Sequence, residues 1–178
     1  HGGNFLRFHL GVPPERILDL CDKFGLAVQY EWNFFHGMPA TYESLMEQYP
    51  VWFDMAARHP SVFFYHPYNE TDAEQQGVVW KALDEITTDY PSLIMAQRDV
   101  YHSHFYWWGM SANLGLYFDD YNQFQKPVIQ DEFGGIYLDG NGDVGGYPLL
   151  PGAMLRWQGY NHTKEMRFEQ QSLAYGKV

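Results

Sequence analysis

The sequence predicts an α/β protein whose parallel sheet is of the (β/α)₈ TIM-barrel type. Short apolar runs alternate with segments whose apolar residues recur at helical spacing. The apolar runs end in polar or charged residues, as barrel strands do at the end that carries a site. No linker or internal repeat divides residues 1–178, which read as a single domain. A complete barrel of this type takes about 250 residues, so 178 is short for one.

The elements follow in order. Asn4 to His9 reads as a short strand ending in polar groups. After Pro13-Pro14, residues Glu15 to Phe24 place Ile17, Leu18, Leu20 and Cys21 at helical spacing, and Gly25 is the stop. Leu26 to Trp32 is the next strand. Thr41 to Arg58 carries a helical pattern that Pro50 is expected to break into two pieces. Ser61 to Tyr65 is a strongly apolar strand running into His66-Pro67-Tyr68-Asn69-Glu70. Asp72 caps a helix from Ala73 to about Thr88. Leu93 to Gln97, Tyr101 to Trp107 and Lys126 to Glu132 are three further strands, with a helix over Leu114 to Phe124 before the last. A Gly-rich loop over 134–146 and a helix over Pro151 to Tyr175 close the chain.

Composition excludes several functions. The chain is 46% hydrophobic, which suits a folded core. Its net charge is −11 with no Lys/Arg cluster, which argues against nucleic acid or an anionic membrane as partner. The apolar runs are too short to span a bilayer. A polar, uncharged substrate such as a carbohydrate is compatible with all of this. Six Trp, fourteen Tyr and thirteen Phe fill the core, and a subset of such rings suits the apolar faces of sugars. The lone cysteine, Cys21, allows no internal disulfide and reads as a buried, inert thiol. The chain opens on His1 without Met and without a signal peptide, and reads as processed or partial.

Two glutamates end two apolar strands: Glu70 and Glu132. In a parallel barrel both point into one mouth. Glycoside hydrolysis needs such a pair, one carboxyl protonated to assist the leaving group and one ionised to attack the anomeric carbon or activate water. Around these residues the sequence resembles the catalytic domain of glycoside hydrolase family 2, in the clan A barrels that include β-galactosidases, β-glucuronidases and β-mannosidases. Asn4 to His9 followed by Ile17 to Val28 is similar to that family's second strand, helix and third strand. His59-Pro60-Ser61-Val62-Phe63-Phe64-Tyr65 with Asn69-Glu70 resembles its fourth strand and Asn-Glu motif. Lys126 to Gly135 resembles its seventh strand.

The resemblance implies a retaining β-glycosidase with a covalent glycosyl-enzyme intermediate. Glu70 would be the general acid/base, Glu132 the nucleophile, and Asn69 the partner of the sugar 2-hydroxyl. Glu70 then needs a raised pKa from burial or a nearby carboxylate. Arg7 would either help to keep Glu132 ionised or form a structural ion pair. His104, Tyr106 and Trp107 fall where the family has an aromatic strand end, with Tyr106 facing the nucleophile. His9 and Glu31 end strands and line the cleft, and Trp32 stacks on sugar or packs the core. No cofactor is implied and no metal. His102 and His104 are expected on opposite faces of their strand, and Asp139 to Asp143 reads as a turn-rich lid, not a calcium loop.

Strands two to seven of the barrel are recognised, and the first and eighth are not. The remainder of a longer chain, or a second copy, would have to complete the barrel. Two rival readings share these residues: a clan A endo-β-glycanase of the mannanase or cellulase kind, and a carbohydrate-binding barrel remnant without activity.

Overall fold

The computed structural model describes residues 2–36, 40–90, 94–105, 125–133, 138, 140–143 and 163–175. The chain forms two compact units, His1–Val100 and Tyr101–Val178.

In the first unit three strands, β1 (Phe5–Arg7), β2 (Ala27–Glu31) and β3 (Val62–His66), form a parallel sheet in sequence order. They alternate with α1 (Glu15–Phe24), α2 (Tyr42–Ala57) and α3 (Ala73–Ile86). Among the described residues of the expected fourth strand, Met95 bridges Tyr65 in parallel and Ala96 bridges Val100. The second unit holds β4 (Tyr101–Phe105) paired in parallel with β5 (Val128–Phe133), and α4 (Lys164–Tyr175). The helix expected over Leu114 to Phe124 lies outside the described residues. Among the described residues, no helix is long and apolar enough to cross a membrane.

Local chemistry sets the helix ends. Gly25 stops α1 in the left-handed conformation, φ 68°, with its N–H donating to Cys21 O. Thr41 and Ser44 close a reciprocal cap on α2. Asp72 accepts from Gln75 N at 2.9 Å at the start of α3. The expected break at Pro50 is a misreading, because α2 runs unbroken through it. An interior proline costs about 3 kcal/mol. Burial of Leu45, Tyr49, Trp52, Phe53 and Ala56 on one face, on both sides of the proline, offsets that cost.

Strand alternation sorts the side chains of β2. Val28 and Tyr30 face the helices and Gln29 and Glu31 the opposite side. Trp52 anchors the helix side, its ring 5.5 Å from Tyr30, 5.6 Å from Trp32 and 5.4 Å from Tyr65. The register of β2 and β3 shifts by one residue: Val28 pairs with Val62, but Gln29 pairs with Phe64. Phe63 is the extra residue of this bulge, which explains its 63% exposure. The bulge reverses the parity of β3, so His66 falls opposite Glu31 and on the same side of the sheet.

Trp52→Ala should therefore cost about 3–5 kcal/mol of stability. Val51→Ala, one residue away but 68% exposed, should change it by less than about 0.5 kcal/mol. Urea unfolding of the two variants measures the contrast.

Candidate active site

The ends of β1, β2 and β3 converge on one buried carboxylate. Glu31 is fully buried. Its Oε2 accepts from Arg7 Nε at 2.6 Å, and its Oε1 accepts from Leu10 N at 3.0 Å. His66 Nδ1 lies 3.4 Å from Oε2 and His9 Nδ1 3.3 Å from Oε1. Gln29 Nε2 lies 2.7 Å from His66 Nδ1. Burial alone would push the Glu31 carboxyl up. The hydrogen bonds and charges of His66 and Arg7 outweigh it and hold the group at about 2.

Arg7 continues this network to the end of β3, where its terminal NH2 donates to Asn69 Oδ1 at 2.9 Å. Asn69 is 1% exposed, and its Nδ2 is buried without a hydrogen-bond partner among the described residues. Its backbone is held by Asn69 N donating to Phe34 O at 2.8 Å, within a parallel bridge to Phe35. Glu70 follows in the left-handed conformation, φ 45°, a strained state for a residue with a side chain. Its side chain is 35% exposed, and His36 Nε2 lies 3.8 Å from its Oε2. His36 is itself left-handed, φ 51°, and its carbonyl accepts from Thr71 Oγ1 at 2.8 Å.

The second unit carries Glu132. The register of β4 and β5 also shifts by one: Ser103 pairs with Gln130, but His104 pairs with Glu132. Asp131 is the extra residue, and the bulge re-aims it. As a result His104 Nε2 lies 3.6 Å from Asp131 Oδ1 and 3.4 Å from Glu132 Oε1. The Asp131 carboxylate is buried, with His102 Nδ1 3.3 and 3.2 Å from its two oxygens. The opposite-face expectation for His102 and His104 is a misreading: residues two apart on a strand share a face, and the rings sit 5.4 Å apart.

Of the expected site residues, Arg7, His9, Glu31 and Asn69 are brought together in the first unit, with Glu70 next to them in the chain. His104 and Glu132 meet in the second. The ring contacts of Trp32, 5.8 Å from Tyr49 and 5.6 Å from Trp52, are those of core packing. Tyr106 and Trp107 lie outside the described residues. Asp143, in the expected lid, accepts from Lys164 Nζ at 2.8 Å. Cys21 is buried, and burial followed by the charge of Asp22 pushes its thiol up. Sequence reading gave no site role to Gln29, His36, His66, His102 or Asp131. The signal available for Gln29 was its period-two spacing from Glu31, and for His66 a polar end to an apolar run.

No protein-family model matches the sequence, and no curated protein matches it. Solved structures do. The crystal structure of a GH2 β-galacturonidase from Eisenbergiella tayi bound to glycerol is 18% identical with a TM-score of 0.61, and the match covers 75% of this chain and 29% of that one. The structure of GH2 β-galacturonidase from the same organism bound to galacturonate is 19% identical with a TM-score of 0.54, covering 74% and 29%. At that identity the likeness is one of fold. The chain shares the fold of part of those enzymes and spans less than a third of their length.

The low pKa of Glu31 makes stability depend on pH. A carboxyl depressed by folding contributes stability that is complete above its unfolded value, 4.5, and is lost as pH falls toward about 2. A tenfold change in proton affinity is worth roughly 1.4 kcal/mol, which makes the contribution about 3 kcal/mol. Between pH 5 and pH 2 the urea midpoint of the native protein should fall, and in Glu31→Gln this component of the fall should vanish from a lower starting stability.

Proposed function

We propose that this chain is the part of a retaining β-glycoside hydrolase that carries its acid/base, Glu70, and its nucleophile, Glu132. In this reading its sheets belong to a (β/α)₈ barrel, completed by further residues of a longer polypeptide or by a second copy. The observation that carries the reading is the end of β3. There a buried amide whose Nδ2 has no partner among the described residues, that of Asn69, is followed directly by a carboxylate on a strained backbone. The fold shared with GH2 enzymes supports it.

The chemistry follows from the side chains. Glu70 protonates the glycosidic oxygen as the aglycone leaves, and Glu132 attacks the anomeric carbon from the opposite face. Glu70 then deprotonates the water that releases the sugar, so the configuration is retained. This requires the two carboxyl groups to stand about 5–5.5 Å apart across the sugar. Asn69 Nδ2 donates to the 2-hydroxyl oxygen and orients that hydroxyl, whose own O–H becomes a better donor as positive charge develops on the ring. An Nε2–H on His104 orients the Glu132 carboxylate. Both structural neighbours named above are β-galacturonidases. The exposed imidazoles of His9 and His36 offer donors to a sugar carboxylate, so a β-hexuronide is the first substrate class to assay.

The test is covalent trapping. The full-length protein incubated with a 2-deoxy-2-fluoro-β-galacturonosyl fluoride should gain one glycosyl unit, on the peptide that contains Glu132. Glu132→Gln should gain none. Glu70→Ala should lose about 10²–10⁴-fold in kcat on the 4-nitrophenyl galacturonide. If the folded protein is labelled by no uronosyl, galactosyl, glucosyl or mannosyl fluoride, the reading fails in favour of a carbohydrate-binding remnant.

A further inference from the structure

The network around Glu31 leads to a residue that acts on the ligand without touching it. Arg7 carries only N–H donors, so the Asn69 atom beside it, 2.9 Å away, has to be the amide oxygen. Turning the amide over would set NH2 against guanidinium. Arg7 is in turn fixed by Glu31 through a 2.6 Å hydrogen bond. The carboxylate is held by Leu10 N–H and approached by His9 and His66. The far end of the amide, Nδ2, is left as a buried donor with nothing to donate to among the described residues. A buried, unsatisfied donor is costly, and a ligand oxygen placed against it removes that cost.

We propose that Arg7 is a positioning residue: anchored by Glu31, it locks the Asn69 amide so that only a donor faces the ligand, and the site therefore selects an acceptor oxygen at that point. The lock rests on the hydrolase reading only for the identity of the oxygen, a sugar 2-hydroxyl. An unlocked asparagine would offer donor and acceptor alternately and would discriminate less. The anchor is insensitive to pH over the neutral range, since the Glu31 carboxyl is held at about 2.

Arg7→Ala strands a buried carboxylate and is a poor probe, because it risks the fold. The double variant Arg7→Gln/Glu31→Gln removes both charges and keeps most of the volume. On 4-nitrophenyl β-D-galacturonide its kcat should fall by about tenfold to a hundredfold. On the 2-deoxy analogue, which has no oxygen for Nδ2, the loss in kcat should be at least about fivefold smaller. Equal losses on both substrates with an active native enzyme would overturn the lock and leave the hydrolase reading standing. A second measurement needs no turnover. With Glu31 in place, urea unfolding of Arg7→Lys, which keeps the charge beside the carboxylate, of Asn69→Ala and of their combination forms a double-mutant cycle. Its coupling should reach about threefold or more in the unfolding constant, and strict additivity would overturn the lock even if no sugar is hydrolysed. A native protein that neither binds nor hydrolyses any of the sugars, yet shows the coupling, would sink the hydrolase reading alone.

Discussion

A buried charge organises the first unit. The Glu31 carboxylate is removed from water, and an ion in that position costs several kcal/mol unless neighbours replace its hydration. Those neighbours come from different strands: Arg7 from β1 and His66 from β3, with Leu10 N–H from the turn after β1. No local stretch of sequence supplies them all. They meet only when β1, β2 and β3 lie side by side in the observed register. The ion pair thus specifies the alignment of three strands, while the stability to carry it comes from the opposite face of the sheet. There Trp52, Tyr30, Tyr49, Phe53 and Tyr65 bury large apolar rings. A polar face and an aromatic face back to back on one sheet separate the two tasks.

What the sequence revealed and what it hid divide along the same line. The limits of α1, the glycine that stops it and the aspartate that caps α3 were legible, because each depends on residues within one turn. The strand containing Glu132 and the one preceding Glu70 were legible as apolar runs, with Glu132 inside β5 and Glu70 four residues past β3. The bulges at Phe63 and Asp131 were not. A bulge is a property of two strands in register, and a single apolar run such as Val62-Phe63-Phe64-Tyr65 carries no mark of it. Without the bulges the faces of β3 and β5 are misassigned. Pro50 misled for the converse reason: a local rule was outweighed by tertiary burial on both sides of it.

Strain is the last element. Leu10, His36, Glu70 and Gln97 all have positive φ without being glycine. They follow β1, the Phe35–Asn69 bridge at the end of β2, the same bridge at the end of β3, and the Met95–Ala96 bridges. Successive strands of the first unit therefore end in a residue forced into the left-handed region, each at a cost of about 1–3 kcal/mol. Such residues persist only where the surroundings over-determine them. At Glu70 and His36 those surroundings are visible: Asn69 N bonded to Phe34 O, His36 N to Asn69 O, and Thr71 Oγ1 to His36 O. A glycine would relieve the strain at either place but would remove the carboxylate or the imidazole. The two strand ends hold a carboxylate and an imidazole on a backbone that glycine would adopt at lower cost, and the hydrolase reading proposed above gives those side chains work that glycine could not do.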